Sequence, residues 1–297
     1  MNRIVSLLPS ATEIAFALGL GDNVVGVTFE CDHPAEARQR RIVSTSALPE
    51  DLSPAEIDAV VKERMAAGED LYKLDADAFG DLDPDLVLTQ DLCAVCAVDV
   101  SEVDQALNYL GCTANVLTLD PQTLDQVLES IVAVGAATDT MAAAHDLLLG
   151  LEQRRAALHQ AVAGAAARPT LLLEWTEPAF GPGHWVPDLV NEAGGHAVLA
   201  NPGANSVGLD WADITDCGAE VVVVAPCGFR LDGAAELGRA AIAAGHLPAD
   251  AEVWAVDADA FFVRPGPRVI RGAEIMGSIL HPDRCGPVVE TEAVQLR

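Results

Sequence analysis

The chain has 297 residues, 51% of them hydrophobic, enough to build two domains or one large α/β domain without covalent staples. Asp and Glu number 45 against 17 Lys and Arg, a formal charge of -28, so the surface repels phosphate backbones and anionic membranes and disfavours nucleic acid as a partner. No stretch reaches the roughly 18 to 20 apolar residues of a membrane span, and the seven cysteines form no regular disulfide framework.

Met1-Asn2-Arg3 runs directly into Ile4 to Leu8, which reads as a buried strand. This start shows neither a cationic segment followed by a long apolar one nor an Ala-x-Ala cleavage site, so the expectation is a reduced, cytoplasmic protein. Ser10-Ala-Thr-Glu13 has the spacing of a capping box and predicts a helix to about Leu18, closed by Gly19 and Gly21. Val24 to Thr28 is a second strand, delivering the loop Phe29-Glu30-Cys31-Asp32-His33-Pro34. That loop holds an acid, a thiol and an imidazole just past a strand end, although Asp32 and His33 before Pro34 also suit a simple turn.

Ser53-Pro-Ala-Glu56 is a second capping box, with Pro54 at the first helical position and a helix to about Ala67. After Leu71 to Leu74 and a short acidic helix, Asp83-Pro84-Asp85 turns the chain into the strand Leu86 to Thr89. Cys93 and Cys96 follow at once, a Cys-x-x-Cys pair whose spacing lets two sulfurs share a metal or act as a dithiol, and equally occurs in an ordinary reduced core. Val100 to Leu110 reads as a helix and Asn115 to Leu119 as a strand, and the alternation argues for a mainly parallel sheet.

From Thr123 the pattern is helical for about 40 residues, with a break predicted at Thr138-Asp139. The second part, Met141 to about Ala163, would extend roughly 35 Å. Only about three alanine-rich heptads are present, so a packed strut explains it better than a coiled coil. Strand and helix then alternate again: strands at Thr170 to Glu174, Val221 to Ala225 and Glu252 to Val256, helices at Val186 to Ala193, Asp232 to Ala244 and Arg268 to Leu280. The acidic tail after Cys285 has no clear period and is expected to fray. The implied domains are an amino-terminal lobe over 1–122, a helical connector over 123–168 and a carboxy-terminal lobe over 169–297.

Ligands of open parallel sheets collect at the carboxyl ends of the strands. Glu30 and Cys31 stand there, as do Cys93 and Cys96, Trp175, and Cys227 in Ala-Pro-Cys-Gly-Phe. Aromatic residues make up only 4% of the chain, so Trp175, Phe180 and Trp185 within eleven positions are notable, with His184 among them, although a core role is expected for at least one of the three. Trp211 and Trp254 read as packing residues. Arg264, in another strand-end loop, can pair with a ligand carboxylate or amide oxygen, or with a local acid. There is no Gly-x-Gly-x-x-Gly or phosphate loop after the first strand, no Gly-x-Ser-x-Gly and no His-Glu-x-x-His, which removes support for nucleotide, serine-hydrolase and zinc-peptidase chemistry.

The opening Arg3-Ile-Val-Ser-Leu-Leu-Pro-Ser-Ala-Thr-Glu13, the stretch Ala17 to Gly26, the segment Asp83-Pro-Asp-Leu-Val-Leu-Thr89 and the helix from Met141 resemble the class III solute-binding proteins, which have a helical backbone. Within them the chain is most similar to cobalamin-binding proteins, through Glu30-Cys31-Asp32, Asp91 to Cys96, Gly183 to Pro187, Pro226 to Phe229 and Arg264 to Pro267. The resemblance implies an α/β fold of two Rossmann-like lobes joined by a long backbone helix, no enzymatic activity, and binding of a corrinoid such as cobalamin, or another metal chelate, in an interlobe cleft. It implies ligand contacts by Glu30, Trp175, Phe180, His184, Trp185 and Arg264, and an ABC transporter permease as a candidate partner. The rival expectation is a metal or thiol-redox centre, zinc or iron-sulfur, on Cys31, Cys93, Cys96 and Cys227.

Overall fold

A computed structural model describes residues 3–49, 52–67, 69, 71–90 and 114–297. The chain divides into two compact units, one of Met1–Pro121 with Leu128–Leu148 and one of Gln122–Val127 with Leu149–Arg297. Both are α/β lobes, and the helix Met141–Val162, 22 residues and about 33 Å long, contributes residues to each. Among the described residues, no helix is long and apolar enough to cross a membrane.

The first unit holds a six-stranded sheet in the order β4-β3-β2-β1-β5-β6. Its strands are β1 (Ile4–Ser6), β2 (Val24–Thr28), β3 (Arg41–Ser46), β4 (Tyr72–Leu74), β5 (Leu86–Thr89) and β6 (Asn115–Thr118). All pairs are parallel except β3 with β4, so the predicted parallel sheet acquires one antiparallel edge. Val5, Val43, Leu71, Phe79 and Val87 pack together beneath it, and short, nearly continuous apolar strands are what a sheet buried on both faces requires.

Two helix starts contrast. At Ser53 the predicted box forms: the Ser53 backbone N–H donates to Glu56 Oε2 at 2.9 Å, while the Glu56 N–H reaches Ser53 Oγ at 3.4 Å. The Ser53 hydroxyl also donates to Glu56 Oε2 at 2.7 Å, and this bond together with that from the Ser53 N–H holds the Glu56 carboxyl below its usual range. The box predicted at Ser10 does not form. The helix begins at Pro9, with Leu8 extended before it and no side-chain cap. Proline lacks an N–H and its fixed φ suits the first helical position, so the start lies ahead of Ser10 and leaves Ser10 and Glu13 buried inside the helix.

The second unit is built from β7 (Arg168–Leu173), β8 (Trp175–Thr176), β9 (Ala179–Phe180), β10 (Gly183–His184), β11 (Gly195–Ala197), β12 (Asn201–Pro202), β13 (Val221–Val224), β14 (Glu252–Val256) and β15 (Ala293–Gln295). Its main sheet runs β11-β7-β13-β14-β15, with two small two-stranded sheets, β8-β9 and β10-β12, beyond the end of β7. Four consecutive valines make up β13, all fully buried between β7 and β14. The tail expected to fray instead supplies β15, antiparallel to β14, with Ala293 facing Val256 and buried. Its short hydrophobic alternation gives too little periodicity to be seen without the strand it pairs with.

Candidate functional site

In the first unit, buried hydroxyls occupy the strand ends. Ser6 closes β1, Thr28 closes β2 and Thr89 closes β5, and Ser44 Oγ donates to Thr28 Oγ1 at 2.7 Å. Thr12, from the first helix, donates to Ser6 Oγ at 2.9 Å and lies 3.0 Å from Cys31 Sγ. Above this layer the loop after β2 turns outward. Phe29 is 40% exposed, with its ring 6.1 Å from that of Tyr72, and the Tyr72 hydroxyl donates to Glu30 Oε2 at 3.0 Å. Glu30 is thus held by a residue of β4, a strand 42 positions later in the chain.

In the second unit, the ends of three adjacent strands bring one group of side chains together. Trp175, just past β7, sits opposite Phe180 in the β8-β9 hairpin, and its ring meets Phe229 edge-on at 5.6 Å. Phe229 follows β13. Its carbonyl accepts from the Asp259 backbone N–H at 3.1 Å, and Asp259 Oδ2 accepts from Arg264 Nη2 at 2.8 Å after β14. Cys227 joins the group through its backbone N–H, which donates to the Glu174 carbonyl at 3.1 Å. The Arg264 and Asp259 side chains are only 12% and 15% exposed, so this is a sheltered ion pair rather than a loose surface one.

His184 stands in a second group, in the left-handed region at φ 48°. Its N–H donates to the Ala204 carbonyl at 2.7 Å, and its Nε2 lies 3.1 Å from Asn205 Oδ1. Burial pushes the imidazole below its usual range, partly offset by Asn205, so the ring is neutral at pH 7. Trp185, expected at the ligand, is 6% exposed and donates its indole N–H to the Phe262 carbonyl at 2.8 Å, which fits an anchor for the His184 loop. Trp211 stacks on His246 at 4.4 Å, and Trp254 lies in β14, both as packing residues.

The four-thiol centre finds no support among the described residues, where no three His, Cys, Asp or Glu side chains are arranged to hold a metal ion. Cys31 is buried against Thr12, and Cys227 is half-buried in the other unit. Cys93 and Cys96 lie outside the described residues, as does the predicted helix from Val100 to Leu110. Sequence reading passed over Phe29, Tyr72, Phe229, Asp259 and Glu174. In a chain this poor in aromatics, Phe29 and Phe229 just beyond strand ends carried a usable signal. Tyr72 carried none, because its partner Glu30 lies 42 positions earlier in the chain.

Flat aromatic faces beside a neutral imidazole and a sheltered guanidinium-carboxylate pair suit reversible binding of a broad, partly apolar ligand with a polar rim. Residues 4–249 match the model of the family described as periplasmic binding protein. The vitamin B12-binding protein of Photorhabdus laumondii is 24% identical over 275 residues, spanning 92% of this chain and 85% of that one. The periplasmic vitamin B12 binding protein BtuF of Vibrio cholerae superposes with a TM-score of 0.69 at 21% identity, covering 94% of this chain and 96% of its own. A periplasmic heme binding protein from Pseudomonas aeruginosa gives 0.72 at 19% identity, covering 99% and 97%. This chain belongs to the periplasmic binding protein family, with the class III, cobalamin-binding-protein-like members, and that is a family of solute-binding proteins rather than enzymes.

Proposed function

We propose that the chain binds a corrinoid, a cobalt chelate of the vitamin B12 class, and presents it to an ABC permease. The observation that carries the reading is the aromatic group at the strand ends of the second unit: Trp175 with Phe180 opposite and Phe229 edge-on. A corrin ring offers a broad face for such rings and a rim of amide groups for the polar side chains. His184 and Arg264, in the same unit, would supply those polar contacts. The likeness along 92% of the chain to a protein named for vitamin B12 favours cobalt corrinoids over haem, the ligand named for several structural neighbours. The neutral His184 ring is the form that accepts a hydrogen bond or a metal. Calorimetric titration with hydroxocobalamin and, separately, hemin tests the proposal. Saturable one-to-one binding of hydroxocobalamin, tighter than that of hemin, is expected. Preference for hemin, or no saturation by hydroxocobalamin, contradicts it.

A further inference from the structure

The carboxylate of Glu174, between the end of β7 and Trp175, does not behave as a free ligand-facing acid. Its Oε1 accepts from the Gly183 backbone N–H at 3.0 Å, and its Oε2 accepts from the Ser206 hydroxyl. One side chain therefore ties two loops that are more than twenty residues apart, one carrying His184 and the other Asn205. The loops are already pressed backbone against backbone. A Cβ added at Gly183 would collide with the Ser206 backbone nitrogen and lie 2.7 Å from the Ala204 carbonyl, and one added at Gly181 would lie 2.5 Å from the Leu199 carbonyl. Between them, the His184 N–H donates to Ala204 and the His184 carbonyl accepts from the Gly203 N–H at 3.0 Å.

His184 is held at φ 48°, a conformation that costs a non-glycine residue free energy unless its surroundings over-determine it. The surroundings here are the two loops, and the carboxylate of Glu174 is bonded to both. An amide oxygen can only accept, so the bond to Asn205 Oδ1 puts the ring proton on Nε2 and leaves the lone pair on Nδ1.

We infer that Glu174 is a positioning residue: its carboxylate clamps the two loops together and thereby fixes the His184 imidazole in one orientation and one tautomer for the ligand. This deepens the corrinoid reading and rests on it for the role of His184, while the clamp itself is a property of the free protein. Side chains that orient a ligating or hydrogen-bonding group from behind commonly set affinity by one or two orders of magnitude. The conservative variant Glu174→Gln keeps an oxygen for the Gly183 N–H and an amide donor for Ser206 Oγ, whereas Glu174→Ala keeps neither.

The test compares wild type, Glu174→Gln, Glu174→Ala and Ser206→Ala in two measurements. Side-chain ¹⁵N NMR of His184 in the ligand-free protein is expected to show a single Nε2–H tautomer in wild type and Glu174→Gln, and averaging between tautomers in Glu174→Ala. Titration with hydroxocobalamin is expected to show about tenfold weaker binding for Glu174→Ala and a change of under about threefold for Glu174→Gln. Ser206→Ala removes one arm of the clamp and should fall between them; should Glu174→Ala fail to fold, this variant decides. Wild-type tautomer signals in a folded Glu174→Ala, or in Ser206→Ala when it decides, would overturn the inference. Failure of wild type to bind hydroxocobalamin would instead remove the corrinoid reading, with the NMR comparison still deciding the clamp.

Discussion

The two units end their strands in different ways. In the first, the strand ends carry small hydroxyls, Ser6, Thr28 and Thr89, with the thiol of Cys31 just beyond β2; Ser44 donates to Thr28, and Thr12 is bonded to Ser6 and Cys31 beneath the surface. In the second, the corresponding ends carry Glu174, Trp175, Cys227, Phe229 and the Asp259–Arg264 pair. The first arrangement satisfies its polar groups internally and leaves a short loop with Phe29 and Glu30 for outside contacts. The second uses buried polar bonds as a frame for large side chains, so its loops are set by packing of backbone on backbone as well as by hydrogen bonds.

Glycine substitutions sharpen that contrast most. Gly183→Ala drives a methyl into backbone atoms of residues 204 and 206 and should destabilise by about 3 kcal/mol in urea unfolding. Gly26→Ala in β2 meets as its nearest neighbours the side chains of Leu82, Val43 and Val5, which can shift, and should cost about 1 kcal/mol. Equal losses would erase the distinction. Next in size is Thr12→Val, which deprives Ser6 and Cys31 of a buried partner and should cost about 1 to 2 kcal/mol.

The pH responses are smaller and differ in sign of origin. His184 has a lowered value in the folded chain, so the unfolded chain binds the proton more readily. Stability should therefore rise with pH across the window from the lowered value up to the ordinary one near about 6.5, and His184→Asn should flatten that rise. Glu274 is raised by burial, but its bonds to Arg154 and Arg271 outweigh this and leave it lowered. Its contribution is present above the ordinary carboxylate range and is lost as pH falls through the lowered value, a loss that Glu274→Gln should remove. The mildest comparison is chemical: half-buried Cys227 should react with a water-soluble thiol reagent well before buried Cys31.

Much of the fold was legible because its signals are local. Ser53 to Glu56 announced a helix start, and Val221 to Val224 announced a buried parallel strand. The break at Asp139 was also readable, and the residue adopts φ 57° between the two long helices. The misses were non-local or competitive. Pro9 overrode the Ser10 box because fixing φ at the first turn needs no partner, and β15 depended on pairing with a strand about forty residues earlier. Among the candidate residues, Trp175 and Phe180 stand out in a chain poor in aromatics, but the sequence does not show that Trp185 turns inward to Phe262. Nor could one sequence show that Glu174 joins loops more than twenty residues apart.

The central claim is that the strand-end aromatics of the second unit hold the ligand. Hydroxocobalamin titrated calorimetrically into wild type, Trp175→Ala and Trp211→Ala tests it most directly. The account predicts saturable binding weakened about tenfold or more by Trp175→Ala and changed less than about twofold by Trp211→Ala, whose ring stacks on His246. Undiminished affinity in a folded Trp175→Ala, or equal losses in both variants, would contradict it.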